Sequence, residues 1–189
     1  MTDDVLLACS DIHAGYGRVP VLRGVNVVVH TGHFVSLIGP NGAGKSTMFN
    51  LISGVLPLSS GEVHFKGQRI DGAPSRRIVS LGIGRTFQHV KLMPQMTVLE
   101  NVALGAHLRG QAGLGQAVMQ MSRAEEDRLL YLAAEQIRRV GLGDLMYEQA
   151  GNLALGQQRI LEVARALCTD PDLLLLDEPA AGLRLKEKE

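Results

Sequence analysis

The stretch that most constrains this chain runs from Gly39 to Thr47 and reads Gly-Pro-Asn-Gly-Ala-Gly-Lys-Ser-Thr. It fits the pattern G-x-x-x-x-G-K-[ST] without a mismatch, and in that pattern the backbone N–H groups of the loop surround phosphate. The preceding run 34–38 is apolar and rich in β-branched residues, which predicts a buried strand. The following run 48–53 predicts a helix, so the motif stands in the strand–loop–helix context that it requires.

Each residue type in this loop has an expected part. The glycines let the backbone turn so that its N–H groups point at one anion. Lys45 is expected to reach the β- and γ-phosphates, and the Ser46 hydroxyl is expected to bind Mg²⁺. The alternative, a glycine-rich turn that binds nothing, is disfavoured by the complete motif. The residues expected to contact nucleotide are Gly39, Pro40, Asn41, Gly42, Ala43, Gly44, Lys45, Ser46 and Thr47.

Composition narrows the class of protein. The 189 residues correspond to one domain, or to one domain with a subdomain. Lys+Arg and Asp+Glu are equal at 19 each, which argues against a general nucleic-acid binder. Cys9 and Cys168 lie in apolar runs, which favours buried thiols in a reducing compartment. Neither a signal peptide nor a run of about eighteen apolar residues is visible, so any membrane role is expected to come through a partner.

A second cluster of candidate residues follows four consecutive leucines. The run 173–176 predicts a central strand buried on both faces, and Asp177 and Glu178 stand at its C-terminal end. Ligands bind at that end of the strands in open α/β sheets. Asp177 is expected to hold Mg²⁺ through water, and Glu178 to orient or deprotonate a water that attacks the γ-phosphate. A polar strand end with a solvated Glu178 is the alternative.

Three weaker signals lie elsewhere in the chain. Tyr16, in a predicted loop, offers a flat face to a nucleobase, although a half-buried loop aromatic is the simpler local interpretation. Gln88 ends a predicted strand at 83–87 and offers an oxygen to a metal or to water, although surface glutamines are common. Residues 153–156 open a predicted helix and form a possible anion site, although short loops before helices are also common.

Hydrophobic periodicity predicts the remaining elements. Strands are expected at 5–9, 25–29 and 62–66, a capping box at Thr97 and Glu100, a loop or insertion at 105–116 and an amphipathic helix at 122–140. The alternating strands favour an antiparallel region towards the N-terminus, beside a parallel sheet that carries the phosphate loop.

Taken in order, these motifs resemble the ATP-binding cassette (ABC) ATPases over about residues 5–185. That family has an aromatic loop, a phosphate loop, a glutamine loop, a signature loop, an acidic strand end and a D-loop. Here they correspond to Tyr16, 39–47, Gln88, 153–157, 173–178 and 180–184. The stretches Arg85–Val90, Asn152–Arg159 and Asp177–Leu183 resemble in particular the LivG-type subunits of branched-chain amino-acid importers.

The resemblance implies an α/β fold of the P-loop NTPase type. It implies a mainly parallel core sheet, an N-terminal antiparallel β-subdomain and a helical subdomain, with the C-terminal part of the core missing. The core is expected at residues 1–95 and 160–189, and the helical subdomain with the signature loop at about 96–159.

The resemblance also implies a function, which is to bind and hydrolyse ATP, with Mg²⁺, to power membrane import of branched-chain amino acids. Two such domains would sandwich two ATP molecules, so that the phosphate loop of one faces the signature loop of the other. The implied nucleotide contacts beyond the phosphate loop are Tyr16, Leu153, Ala154, Leu155, Gly156 and Gln157. The implied catalytic residues are Glu178 and Gln88, and the implied metal-binding residues are Ser46, Gln88 and Asp177.

The implied partners are a second ABC ATPase subunit, identical or homologous, and membrane permease subunits. A periplasmic or extracellular binding protein would act indirectly, and no nucleic acid is expected. The implied location is the cytoplasmic face of the bacterial inner membrane, as a peripheral subunit.

Several residues depart from the family pattern. Ala154 and Leu155 stand where the usual signature has serine and glycine, as in LivG-like sequences, and Arg184 replaces the usual Asp or Asn of the D-loop. No histidine follows Glu178, although the family carries a switch histidine beyond it. The chain is therefore expected to be a fragment or a truncated product that binds ATP weakly and hydrolyses it slowly or not at all.

Two alternative functions stay open at this point. One is a nucleotide-binding but hydrolysis-deficient fragment or regulatory module, which the missing switch histidine favours. The other is a non-transport ABC ATPase acting in translation or DNA repair. Such proteins usually carry two cassettes or a long coiled-coil insertion, and this sequence shows neither.

Overall fold

The computed structural model describes residues 4–86, 92–107 and 123–177, and for residues 107 and 123–125 it describes the backbone alone. Within the chain, residues 1–81 and residues 82–189 form two compact units. Parts of the predictions lie outside the described residues, namely Gln88, Glu178, the D-loop at 180–184 and the stretch 108–116.

The first unit is built on an antiparallel sheet of four strands in the order β2-β1-β3-β4. The strands are β1 (Val5–Tyr16), β2 (Val19–His30), β3 (Ser60–Phe65) and β4 (Gln68–Arg69), and the helices of this unit are α1 (Lys45–Ile52) and α2 (Ser75–Ser80). Alternate residues of β1 and β3 enter the core, where Leu7, Ile12, Val63 and Phe65 are each at most 2% exposed. The predicted antiparallel region near the N-terminus is therefore confirmed.

A tight hairpin joins β1 to β2 and places Tyr16 at the end of a strand. Tyr16 pairs with Val19, and Gly17 between them has a φ of 58°, which a two-residue hairpin turn requires and glycine adopts without strain. The prediction that Tyr16 lies in a loop is wrong, because the sheet continues up to it.

The run 34–38 is not the buried strand that its composition predicts. Residues 33–40 belong to no strand, and the side chains of Phe34 and Ile38 are 86% and 94% exposed. A strand also needs a neighbour for its backbone N–H and C=O groups, whatever its composition. Among the described residues no strand pairs with this run, so the prediction is wrong for this structure.

The second unit combines a two-stranded parallel sheet with a helical core. Its elements are the strands β5 (Ile83–Arg85) and β6 (Leu173–Leu175) and the helices α3 (Val98–His107), α4 (Arg123–Arg139) and α5 (Leu155–Leu167), with 3-10 turns at Gly143–Leu145 and Ala150–Asn152. The helices pack around fully buried side chains that include Val98, Val102, Ala133, Ile137 and Leu161. The amphipathic helix predicted at 122–140 is confirmed.

Glycine at position 105 marks a helix contact rather than the start of a loop. The loop predicted from residue 105 is wrong at its beginning, because α3 runs to residue 107. A Cβ atom on Gly105 would lie 2.3 Å from the carbonyl oxygen of Arg165 in α5. The missing side chain therefore lets the two helix backbones approach each other closely.

The strand of leucines is shorter and less enclosed than the sequence predicts. Only three residues form β6, and only Leu175 among them is buried. Among the described residues β6 pairs with β5 alone, whereas a central strand has a neighbour on each edge. The prediction of a strand buried on both faces is not borne out in this part of the structure.

Asn101 on α3 is fully buried and fixes the segment 92–97 that leads into this helix. Its Oδ1 accepts a hydrogen bond from the Met93 N–H at 2.8 Å, and its Nδ2 donates to the Met93 carbonyl at 3.0 Å. From the other side, the N–H of Gly151 donates to the Pro94 carbonyl at 3.0 Å. The segment is thus held between α3 and the turn that precedes α5.

The capping box predicted at the start of α3 is confirmed. Glu100 Oε2 accepts hydrogen bonds from the N–H and the hydroxyl of Thr97 at 2.7 and 2.8 Å. In return, the Glu100 N–H donates to the Thr97 hydroxyl oxygen at 3.1 Å. The hydrogen bonds from Thr97 stabilise the carboxylate and lower the pKa of Glu100.

Candidate nucleotide site

The phosphate loop of the first unit turns through two glycines in the left-handed region. Gly42 has a φ of 84° and Gly44 a φ of 91°, a conformation that costs other residues free energy. A Cβ atom at position 44 would also lie 2.8 Å from Cδ2 of Leu22, so that side chain would have to shift. The left-handed φ is therefore the stronger of the two reasons for glycine at position 44.

The ammonium group of Lys45 lies over the loop that precedes it. Its Nζ donates hydrogen bonds to the carbonyl oxygens of Gly39 at 2.6 Å and Pro40 at 2.9 Å. The loop is also closed on itself by a hydrogen bond of 3.2 Å from the Ala43 N–H to the Pro40 carbonyl. A fixed positive charge is thus placed where the loop curls.

The N-terminus of α1 adds a second attraction for anions. In α1, all of whose residues are described, the first turn carries no acidic side chain, and Gly44 supplies no capping side chain. The N–H groups of the first turn have no partner within the helix, and the helix dipole is positive at this end. Ser46 is half-buried and Thr47 buried in this turn. These are the features that suit a helix start for binding an anion.

Tyr16 approaches the helix that begins at the phosphate loop. The amide Nδ2 of Asn50 on α1 donates a hydrogen bond to the Tyr16 hydroxyl at 3.0 Å. The Tyr16 side chain remains 51% exposed, so part of its surface is accessible to a ligand. The structure thus links this aromatic residue to the phosphate-loop helix through Asn50, a contact that no sequence motif predicts.

In the second unit, Asp177 follows β6 and is held by the last residue of β5 and the residue after it. Its side chain is 4% exposed, and Oδ2 is 3.5 Å from Nη2 of Arg85. The Asp177 N–H donates to the hydroxyl of Thr86 at 3.3 Å. Sequence reasoning missed both partners, although Arg85 ends β5, which runs parallel to β6, and Thr86 follows it shortly before Gln88.

The signature segment 153–157 forms the start of α5. Ala154 is the N-cap residue, and Gln157 Oε1 accepts a hydrogen bond from its N–H at 3.0 Å, which is half of a capping box. Alanine has no oxygen for the other half, so the first-turn N–H groups of α5 receive no side-chain cap from it. Leu155 is exposed on this first turn. The predicted signature loop at 153–157 therefore consists mainly of the N-cap and first turn of α5.

A family model described as "ABC transporter" matches residues 22–181 of this chain. The chain belongs to the ABC transporter ATP-binding family. It is 40% identical over 184 residues to the high-affinity branched-chain amino acid transport ATP-binding protein LivG of Escherichia coli K12, which covers 96% of this chain and 72% of that protein. It is also 34% identical to the ribose import ATP-binding protein RbsA of Bacillus licheniformis, over 95% of this chain and 34% of that protein.

Solved ABC cassettes share the fold. The ADP conformation of MJ1267, an ATP-binding cassette of an ABC transporter, is 33% identical, with a TM-score of 0.81 over 95% of this chain and 71% of that one. The dimeric post-hydrolysis state of the cassette MJ0796, bound to ADP and Pi, is 28% identical, with a TM-score of 0.79 over 96% of this chain and 77% of that one. The α/β P-loop NTPase fold is thereby confirmed.

Family membership settles the coarse function of this ABC chain. It is an ATP-binding subunit of the importer type, from a family of ATPases that couple hydrolysis to transport. No helix in the described ranges is both long and apolar enough to cross a bilayer.

Proposed function

We propose that this chain binds MgATP at residues 39–47 and hydrolyses it to power import of branched-chain amino acids. The observation that carries the proposal is the placement of the Lys45 ammonium over the turn of its own loop, at the uncapped start of α1. A positive side chain, left-handed glycines and first-turn N–H groups together suit a chain of phosphates.

The side chains divide into binding and catalytic parts. Lys45 binds the phosphates, Tyr16 stacks on the nucleobase, and Gln88 and Glu178 position and deprotonate the attacking water. Mg²⁺ would be held by oxygen atoms of Ser46, Gln88 and Asp177, and it would neutralise charge on the phosphates. Asp177 can take this part because its carboxylate stands at the C-terminal end of β6, where Mg²⁺ would replace its contact with Arg85 at 3.5 Å.

The partners follow from the family and from its solved dimers. A second ATPase subunit, identical or homologous, would contribute its own segment 153–157 to this phosphate loop. The first-turn N–H groups of α5, which Ala154 leaves without a side-chain cap, support such a part. The pair would act on permease subunits at the cytoplasmic face of the bacterial inner membrane, and a binding protein outside would deliver the amino acid.

Branched-chain amino acids are the cargo favoured by the similarity to LivG. The 40% identity to LivG extends over 72% of that protein, whereas the 34% identity to RbsA covers about a third of it. Uptake of labelled leucine and of labelled ribose by permeases reconstituted with this chain separates the two cargoes. Stimulated ribose uptake without leucine uptake would contradict this part of the proposal.

Titration calorimetry with MgATP tests the nucleotide site. Lys45→Ala removes a charge-assisted contact and should weaken MgATP binding by about 10- to 150-fold. Arg76→Ala is the matched control, because it removes a positive charge from an exposed position in the same unit. Equal affinities for the parent and for Lys45→Ala would refute the site.

Phosphate release separates a hydrolysing motor from a module that only binds nucleotide. The parent should release phosphate from MgATP in the presence of its permease, and Glu178→Gln should bind MgATP without releasing phosphate. If the parent binds MgATP and releases none with its permease, the hydrolysis-deficient alternative is correct.

A further inference from the structure

Asn50 connects the nucleobase and phosphate parts of the site, although nothing in the motif pattern points to it. It lies on α1, the helix that begins at Lys45, and its side chain reaches 34 residues back along the chain to Tyr16. The Nδ2–hydroxyl distance of 3.0 Å is that of an ordinary hydrogen bond.

The donor residue is itself firmly placed. The Asn50 carbonyl accepts hydrogen bonds from the N–H groups of Val55 at 2.8 Å and Leu56 at 3.1 Å, which close the turn after α1. Its helix neighbours Leu51 and Ile52 are buried. Asn50 is therefore a fixed point from which the amide reaches the tyrosine.

The acceptor side is less constrained. Tyr16 ends a strand beside a two-residue turn, and half of its surface faces solvent. An exposed aromatic side chain exchanges between rotamers, and a ligand that stacks on it must arrest this motion. A hydrogen bond at the far end of the ring holds its orientation before any ligand arrives.

We propose that Asn50 is a positioning residue that holds the Tyr16 ring ready for a nucleobase, at a fixed distance from the phosphate loop. The inference rests on the proposed function of Tyr16 as the stacking residue. Asn50 lies about 7.5 Å along the axis of α1 from Lys45, from the rise of about 1.5 Å per residue. The same rigid helix thus sets the positions of the phosphate-binding N–H groups and of the ring.

The ratio of the affinities for MgATP and for tripolyphosphate isolates the contribution of the positioned Tyr16 ring. ATP engages both the loop and the ring, whereas tripolyphosphate engages the loop alone. Asn50→Ala and Tyr16→Phe each remove the hydrogen bond and leave an aromatic ring in place. Each should weaken MgATP binding by about 2- to 12-fold, the effect of leaving one side chain unfixed, without changing tripolyphosphate binding.

Two further variants sharpen the test. The double variant Asn50→Ala/Tyr16→Phe should bind MgATP no more weakly than either single variant, because both remove the same contact. Asn50→Asp should retain most of the ratio of MgATP to tripolyphosphate affinity, since its carboxylate accepts a hydrogen bond from the Tyr16 hydroxyl while its charge weakens binding of both ligands. Thermal unfolding verifies that each variant is folded, and Tyr16→Phe keeps the test valid if Asn50→Ala does not fold.

The results distinguish failure of this inference from failure of the proposed site. If Tyr16→Ala lowers the ratio of ATP to tripolyphosphate affinity but Asn50→Ala and Tyr16→Phe do not, Asn50 has no positioning role and stacking stands. If Tyr16→Ala leaves the ratio unchanged, stacking itself is wrong and the inference fails with it. If Lys45→Ala leaves tripolyphosphate binding unchanged, the phosphate site is wrong.

Discussion

Replacing Asn101 by alanine should remove the hydrogen bonds that hold the segment 92–97 against α3. In the parent, Asn101 accepts from the Met93 N–H at 2.8 Å and donates to the carbonyls of Met93 and Thr97 at 3.0 and 2.9 Å. The side chain is fully buried and also donates to the Met96 carbonyl at 3.3 Å, so alanine leaves one donor and three acceptors without this partner. A buried polar group left unpaired costs about 1–3 kcal/mol, and carbonyls that relax towards water recover part of that loss.

Each of these carbonyls keeps a backbone donor, so the Met93 N–H is the group left unpaired and the expected loss of unfolding free energy is about 1–3 kcal/mol. It can be measured from the shift of the midpoint of urea unfolding, with the helical circular dichroism signal as the readout and the same slope of free energy against urea concentration (m-value) for both proteins. Gln136→Ala is the matched control, because its amide oxygen accepts from Arg139 at the surface, and it should shift the free energy by no more than about 0.5 kcal/mol. An Asn101→Ala protein within about 0.5 kcal/mol of the parent would refute the account.

Asn101→Asp gives this prediction a pH dependence. The carboxylate still accepts a hydrogen bond from the Met93 N–H, but its second oxygen faces the backbone carbonyls to which the Asn101 amide donates. Burial of the carboxylate and its repulsion from those carbonyl oxygens raise the folded-state pKa of Asp at this position. The deficit against the parent should be largest at high pH and should shrink as the pH falls through that raised pKa, because a protonated carboxyl can donate. A deficit that grows on acidification would contradict this reasoning.

Three further predictions concern local features. Gly105→Ala should destabilise the protein by about 1–3 kcal/mol in urea unfolding instead of gaining helix propensity, because its Cβ would lie 2.3 Å from the Arg165 carbonyl; a stabilised variant would contradict the helix contact. Thr97→Ala should lower the unfolding free energy by about 1 kcal/mol. Hydrogen bonds from Thr97 lower the pKa of Glu100, so the stability that they contribute should be fully present above the ordinary carboxyl pKa of 4.5. This contribution should fade as the pH falls through the lowered pKa. Burial raises the pKa of Cys9 from 9.0 to about 12, so the native thiol stays protonated while the unfolded chain ionises above 9.0. Iodoacetamide at about pH 9 should therefore label Cys9, by peptide mass, only after unfolding.

The parts of the fold that the sequence predicts well depend on neighbours along the chain. The helix after the phosphate loop, the capping box at Thr97 and Glu100 and the helix at 123–139 each arise from residues a few positions apart, whose geometry the local pattern determines. Helix start and stop signals act within one or two turns, which is why these predictions are confirmed.

The failures depend on contacts between distant residues. The run 34–38 has the composition of a strand, but pairing partners decide whether such a run becomes one. The leucine run forms a strand of only three residues for a similar reason, because among the described residues this strand pairs with β5 alone. Arg85 lies 92 residues from Asp177, and no periodicity links such positions. Gly105 is predicted from the sequence to start a loop because the contact that requires glycine there, the close approach of the α5 backbone, involves residues far away in the sequence.

The pair of hydrogen bonds from Lys45 to the carbonyls of Gly39 and Pro40 has a consequence for turnover. A triphosphate bound as proposed would exchange these bonds for bonds to its own oxygens, so the lysine would gain only the difference between two similar environments. After the product left, the two carbonyls would again accept hydrogen bonds from the ammonium group. Such a loop would suit a protein that binds and releases nucleotide in every cycle better than one that retains it.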